Sequence, residues 1–209
     1  MIKLSKASKM PCKSFSLPVN DKVCKGRYQD SGELKGVCKA CYATKGYYRM
    51  PNVQKVREEN YTASLHPTFA SQMIRILSKE KSKYFRWFDS GDIYSQSFLE
   101  KVLQICIETP DIKHWIPTKS RELFSQDTWA RLESLPNVKV RYSSPDINWE
   151  TAEDIQGYDS IVITRDISLQ ASFQEKRLFT CPSSTQGNKC GPCRACWSKR
   201  IEVIEYIKH

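Results

Sequence analysis

Eight of the nine cysteines lie in two sets at opposite ends of this 209-residue chain. A fold must give these thiols somewhere to go, and that demand constrains the architecture more than any other feature. The C-terminal set is Cys181, Cys190, Cys193 and Cys196, and it includes the run Cys190-Gly-Pro-Cys193-Arg-Ala-Cys196. Three thiolates at that spacing can converge on one small inorganic object. A mononuclear zinc site usually takes two separated C-x2-C knuckles. Overlapping C-x2-C-x2-C runs hold the irons of a cubane in bacterial ferredoxins. The spacing therefore favours an iron–sulfur cluster of the 4Fe-4S type, with Zn as the alternative.

The N-terminal set is Cys12, Cys24, Cys38 and Cys41, of which only Cys38-Lys-Ala-Cys41 is tightly spaced. These residues sit in loops rich in Lys, Gly and Pro. Taken in sequence order, the two sets read as one metal site each, so one or two clusters are expected. Cys106 stands apart, in the apolar register Phe98, Leu99, Val102, Leu103, Cys106 of one helix face, and reads as a small core hydrophobe. Disulfides are the competing use of the other eight, and they need an oxidising compartment. The opening residues Met1-Ile-Lys-Leu-Ser-Lys carry no apolar secretory core. No run of apolar residues is long enough to span a bilayer. The expectation is a cytoplasmic protein without a membrane partner, in which paired spacings favour metal over disulfide.

The formal net charge of +10 is unevenly placed. Residues 1–57 hold 13 Lys and Arg against 3 Asp and Glu, and the remainder holds 20 of each. Tyr28, Tyr42, Tyr47 and Tyr48 are interleaved with this charge. Such a segment can grip phosphates and stack on bases, so a nucleic acid or nucleotide is one expected partner. The same charge can instead offset thiolate-ligated clusters and otherwise face solvent.

Along the chain, residues 1–50 read as irregular, basic, cysteine-bearing loops. Pro51 suits the first helical position and opens a helix to about Leu65. Pro67 opens a second, with Phe69, Met73, Ile74 and Leu77 at near-helical spacing. Strands are then expected at Tyr84–Asp89, His114–Pro117, Val138–Tyr142 and Ser160–Thr164. Helices are expected at Gln96–Glu108, capped by Ser95, and at Ser120–Leu135, capped by Ser120. The strand ends at Asp89, Thr118, Ser143 and Thr164 are 29, 25 and 21 residues apart, the spacing of successive βα units. The pattern predicts an α/β fold with a parallel sheet, as a single domain over 1–209. It divides into basic cysteine-rich loops at 1–50, helices and βα units at 51–166, and a C-terminal cysteine-rich segment and helix at 167–209.

Parallel α/β folds bind ligands at the carboxyl ends of their strands. Those ends here read Asp89-Ser-Gly-Asp92, Pro117-Thr-Lys-Ser-Arg121, Ser143-Ser-Pro-Asp146 and Thr164-Arg-Asp166. Asp89 and Asp92 flank Gly91, which permits close backbone approach. Their carboxylates suit a ribose or an amine, or else an Asx turn that caps the next helix. Thr118, Lys119, Ser120 and Arg121 combine donors with an expected helix start, an arrangement suited to an anion. Arg141 and Arg165 point either to the rim or to solvent. His66, His114 and His209 form no ligand spacing. No nucleophile elbow, P-loop or dinucleotide glycine fingerprint occurs.

Several strings resemble a phage-encoded family known as gene product eighty-eight. They are Lys9-Met-Pro-Cys12-Lys-Ser-Phe-Ser-Leu-Pro18, Val37-Cys-Lys-Ala-Cys41-Tyr-Ala-Thr-Lys-Gly46, Arg86-Trp-Phe-Asp-Ser-Gly-Asp92, Trp115-Ile-Pro-Thr118 and the closing cysteine run. The match spreads over most of the chain in the right order. Cys38-x2-Cys41-Tyr-Ala ahead of βα repeats is also similar to the cluster loop of radical S-adenosylmethionine proteins. Those use C-x3-C-x2-C before a partial βα barrel, and an open iron of the cluster binds the cofactor. Here thirteen residues separate Cys24 from Cys38, and Cys12 is available as a fourth ligand.

These resemblances imply a radical-SAM-like partial parallel βα barrel flanked by cysteine-rich segments, located in the host cytosol. They imply an iron–sulfur enzyme with S-adenosylmethionine as a cofactor and an electron-donor protein as a partner, and the basic first segment makes a nucleic acid or nucleotide its expected substrate. Asp89, Asp92 and Lys119 are then the expected catalytic residues, and Ser90, Gly91, Thr118 and Ser143 the cofactor-binding ones. The alternative is a non-enzymatic nucleic-acid-binding protein with structural zinc or iron–sulfur sites.

Overall fold

Among the described residues seven strands lie side by side and every neighbouring pair runs parallel. They are β1 (Ser14–Phe15), β2 (Tyr84–Trp87), β3 (Lys113–Thr118), β4 (Val138–Ile147), β5 (Ser160–Ile163), β6 (Leu178–Thr180) and β7 (Val203–Ile207). Five helices accompany them: α1 (Gly36–Lys39), α2 (Pro51–Leu65), α3 (Phe69–Leu77), α4 (Gln96–Glu108) and α5 (Gln126–Ser134). The computed structural model describes residues 1–148, 155–164 and 178–208. Arg165 and Asp166 lie outside them. Among the described residues no pairing closes the sheet into a barrel, and β1 and β6 are its edges. No described helix is long and apolar enough to cross a membrane.

The strand order is β1-β2-β3-β4-β5-β7-β6. From β1 to β5 each new strand is added on the same side. Crossovers between parallel strands are right-handed, so these connections all fall on one face of the sheet. That face carries the main core. Phe85 and Trp87 of β2, Ile116 of β3 and Val138 and Val140 of β4 pack there with Phe69 and Met73 of α3, Phe98, Leu99 and Val102 of α4, and Trp129 and Leu132 of α5. Cys106 is fully buried among them, as a core hydrophobe should be.

Between β6 and β7 the direction of addition reverses. The same handedness rule then puts that connection on the opposite face, and this connection is the cysteine run. The side chains that alternate with the core set, Tyr84, Trp115 and Tyr206, meet Trp197, Cys190 and Cys196 there. The C-terminal cysteine segment is therefore the cover of the sheet's second face.

Three expectations need correction. The helix expected within 167–209 is absent among the described residues, and Val203–Ile207 is a strand between β5 and β6. Its β-branched residues, Val203, Ile204 and Ile207, favour the strand. The single helix expected over Ser120–Leu135 is broken. A 3-10 turn at Arg121–Leu123 ends in extended Phe124, and α5 starts afresh with Ser125 accepting from Thr128 N. Gln126 Nε2 donates to the carbonyls of Arg121 and Phe124, which satisfies the backbone at the break. Finally, β4 runs to Ile147, not Tyr142, with a register shift between Ser143 and Ile147 where it pairs with β5. Ser95 caps α4 as expected, accepting from Phe98 N at 3.1 Å.

Candidate functional site

The loops carrying Cys24, Cys38 and Cys41 are tied down over the carboxyl ends of β2, β3 and β4. Gly26 lies against the backbone just after β3, and a Cβ there would stand 2.2 Å from Lys119 O. Gly36 N, at the start of α1, donates to Asp146 Oδ1 of β4 at 3.4 Å. Tyr42 Oη donates to Asp89 O at 2.6 Å and Tyr48 Oη to Asp89 Oδ2 at 2.7 Å, just past β2. Each tie joins one cysteine-bearing turn to one strand end. These three cysteine-bearing turns therefore lie beside the polar strand ends.

The strand-end residues mostly bond within the protein. Phe88 takes a left-handed turn at φ 53° and sends the chain back towards β1. Ser90 Oγ then donates to Leu17 O at 2.8 Å, and Gly91 (φ 79°) packs on Leu17. Asp89 Oδ1 accepts from Arg86 Nη1 at 2.8 Å, so its carboxylate is shared between Arg86 and Tyr48. Asp92 is a brace between two strand ends. Its Oδ1 accepts from Thr118 Oγ1 and Ile93 N, both at 2.7 Å, and its Oδ2 from Lys119 N at 2.8 Å. Burial raises the Asp92 pKa, against the pull of those donors. Thr118 Oγ1 accepts from Ser120 N at 3.0 Å, so residues 118–120 form a local turn. Only the 3-10 turn at Arg121–Leu123 starts there, not an α-helix, and Asp92 and Thr118 take the N–H groups of Lys119 and Ser120. Ser143 Oγ accepts from Ser160 Oγ at 3.1 Å, across β4 and β5.

Burial pushes the Cys24 thiol up to about 12, reinforced by Asp92, Cys41 and Cys38 nearby. Burial also raises Cys38, while the Lys119 ammonium beside it pulls the other way. Cys24, Cys38 and Cys41 therefore share one neighbourhood with Asp92 and Lys119. Cys12 keeps different company. It is 3% exposed and sits with Met10, Trp115 and Trp197, against which Cys190 and Cys196 pack. The N-terminal strand β1 delivers Cys12 to the sheet's second face, where the C-terminal cysteines lie. Among the described residues, no three His, Cys, Asp or Glu side chains converge closely enough to hold a single metal ion. A cubane spreads its ligands wider, because each thiolate binds its own iron.

Sequence reading left two key residues unassigned. Arg141, fully buried on β4, donates from Nε to Cys196 O at 3.0 Å and from Nη2 to Ala195 O at 2.9 Å and Ser198 O at 3.1 Å. It also reaches the carbonyls of Asp159, Glu202 and Ile201. One side chain thus gathers the whole turn around Cys196. Arg86 stacks on Trp115 at 4.6 Å, with Met10 Sδ 3.8 Å from its Nη1. Its strand position, alternating with core-facing Phe85 and Trp87, was the available signal for an inward cation. Of the four interleaved tyrosines, Tyr28 bonds its hydroxyl to surface Asp21, while Tyr42 and Tyr48 bond theirs to Asp89. Tyr47 is 82% exposed.

No curated protein and no solved structure matches the chain. The model of the family described as Gene product 88 matches residues 2–199, and the chain belongs to that family.

Proposed function

We propose that this is a phage-type iron–sulfur protein and a radical-SAM-like enzyme acting on a nucleic acid or nucleotide. The observation that carries the reading is the convergence of the Cys24, Cys38 and Cys41 loops on the strand ends of a parallel sheet. Three thiolates would hold a 4Fe-4S cluster there and leave one iron without a protein ligand. When bound and reduced, such a cluster supplies single electrons to S-adenosylmethionine. Lys119, beside Cys38, would offset the charge of the thiolates. Asp89 and Asp92 hold the turns in place, and Lys119 and the backbone of Ser90 and Gly91 would meet the cofactor. The C-terminal cysteines on the second face would hold a further centre and accept electrons from a donor protein. The partial-barrel reading fits a sheet wound in one direction from β1 to β5.

The substrate class rests on the surface around this loop. Lys22, Lys25, Lys39, Lys45, Arg49 and Lys55 are exposed there, together with Tyr47. Such a surface attracts phosphate, and the free ring can stack on a base.

Anaerobically purified protein should show broad absorption at about 400 nm with bound iron and sulfide. After reduction it should cleave S-adenosylmethionine to 5′-deoxyadenosine. Absence of iron rejects the cluster. Iron without cleavage, accompanied by steep salt-dependent nucleic-acid binding, moves the assignment to a binding protein.

A further inference from the structure

We propose that Cys12 is the fourth ligand of the C-terminal centre beside Cys190, Cys193 and Cys196, in the place that sequence order gives to Cys181, so that both ends of the chain close one metal site. The inference rests on the iron–sulfur reading above and reassigns which thiols serve which site.

The contacts run through the segment just before β1. Lys9 O accepts from Cys190 N at 2.9 Å. Met10 Sδ lies 3.6 Å from Cys190 Sγ. Cys12 is buried in the same cluster, next to the β2 backbone, where Lys13 O accepts from Arg86 N at 3.3 Å. A buried, inward-facing thiol beside a C-x2-C-x2-C run has the position of a ligand from the opposite side.

Charge gives an independent argument. The fully buried Arg141 guanidinium donates only to carbonyls, and Asp159 Oδ1, close by, is held by Lys139 at 2.6 Å. Arg194 lies over the Tyr84 ring at 5.2 Å and bonds to the carbonyls of Gly191 and Cys193. Arg86 has Asp89 as its one ion pair among the described residues, and its buried Nε has no hydrogen-bond partner. Arg86, Arg141 and Arg194 thus lie near these thiols, and Arg141, the fully buried one of the three, has no ion pair among the described residues. A buried charge without a counter-charge is costly. A thiolate-ligated cluster is anionic and supplies the missing charge at this place. Moving Cys12 to this centre also leaves Cys24, Cys38 and Cys41 as the rim set.

The test counts iron and sulfide per chain after anaerobic reconstitution of the wild type, Cys24→Ser, Cys12→Ser and the double variant, with circular dichroism as the check on folding. Each single variant should lose about half the iron, and the double variant nearly all, because two different centres are broken. A double variant that keeps as much iron as Cys24→Ser alone places Cys12 at the rim and overturns the proposal. A wild type that loads no iron overturns the iron–sulfur reading instead. If Cys12→Ser does not fold, the loaded wild type answers. Ferricyanide strips the clusters and takes two electrons for each disulfide that the released thiols form. Cystine mapping should then link Cys12 to Cys190, Cys193 or Cys196. A link from Cys12 to Cys24, Cys38 or Cys41 overturns the proposal.

Discussion

Trp197 Nε1 donates to Phe85 O at 2.9 Å, joining the turn after the last cysteine to a strand near the other edge of the sheet. The indole also packs edge-on against Trp115 and Tyr84, at 5.3 Å from each. A segment that carries four cysteines is thereby used as a packing layer. Its fold and its chemistry are coupled, since whatever loosens the layer moves the thiols.

Arg141 is the strongest point of that coupling. Arg141→Met keeps volume but leaves carbonyls from Ala195 to Glu202 without their shared donor. The loss should be about 1–3 kcal/mol, the cost of leaving buried acceptors unsatisfied. Arg141→Lys should recover only part of it, because an ammonium has three donors and no planar fork. Chemical unfolding gives the size of the effect. Limited proteolysis should show cleavage appearing first between Cys181 and Val203.

Gly26 tests the rim in the same way. A methyl group there meets the Lys119 carbonyl oxygen at 2.2 Å, backbone against backbone, so one of the two must move. Gly26→Ala should lift the Cys24 turn off the end of β3. The expected result is reduced iron content with a modest stability loss of about 1–3 kcal/mol. Gly32→Ala is the control. It also sits in a loop, but no atom lies within 4 Å of its added Cβ. Its left-handed φ of 81° costs stability without touching the rim, so its iron content should match the wild type. Equal iron loss in both variants would remove the link between Gly26 packing and the site.

His114 sets a pH dependence unrelated to metal. It is fully buried, and burial lowers its pKa from 6.5 to about 4. Trp87 Nε1 donates to its Nδ1 at 3.2 Å, so the proton sits on Nε2, which faces Thr109 Oγ1 at 2.9 Å. Below pH 6.5 the unfolded chain binds a proton that the folded chain refuses. Stability from this group is thus complete above about 6.5 and falls as pH drops towards 4, by about 3 kcal/mol in all. Urea midpoints at pH 7 and pH 5 should show the drop. In His114→Gln, which cannot titrate, that part of the slope should vanish.

How much of this was legible beforehand varies with the kind of signal. The helices α2, α3 and α4 and the strands β2 to β5 follow from proline placement, apolar periodicity and strand-end spacing. β1 was invisible because two residues, Ser14 and Phe15, carry no period, and their pairing with Arg86 and Trp87 is long-range. β7 was misread because five residues of Val, Ile, Glu and Tyr suit either state until a neighbouring strand selects one. The cysteines were recognised as two sets, but sequence distance placed Cys12 with Cys24. Only the folded chain, in which the segment before the short β1 lies on the second face, could reveal its neighbours. Asp89 and Asp92 were legible as strand-end carboxylates. Their use as braces was not, because Tyr42, Tyr48, Thr118 and Lys119 reach them only in the folded chain.

Tyr47 gives the sharpest test of the nucleic-acid surface. Its ring is 82% exposed, in a segment where Tyr42 and Tyr48 tie their hydroxyls to Asp89. If that surface binds a single strand, the ring stacks on a base, and Tyr47→Ala should weaken binding by about 1–3 kcal/mol. The same change should leave the salt dependence untouched, because stacking releases no counterions. Replacing Lys25, Lys39 and Lys45 together should do the opposite. Each lost phosphate contact flattens the slope of log K against log salt by about 0.7 for a single strand, so three should flatten it by about 2. Fluorescence anisotropy over a salt series separates the two effects. A Tyr47→Ala variant that binds like the wild type, with lysine replacements that leave the slope unchanged, would show that this basic face is merely solvated.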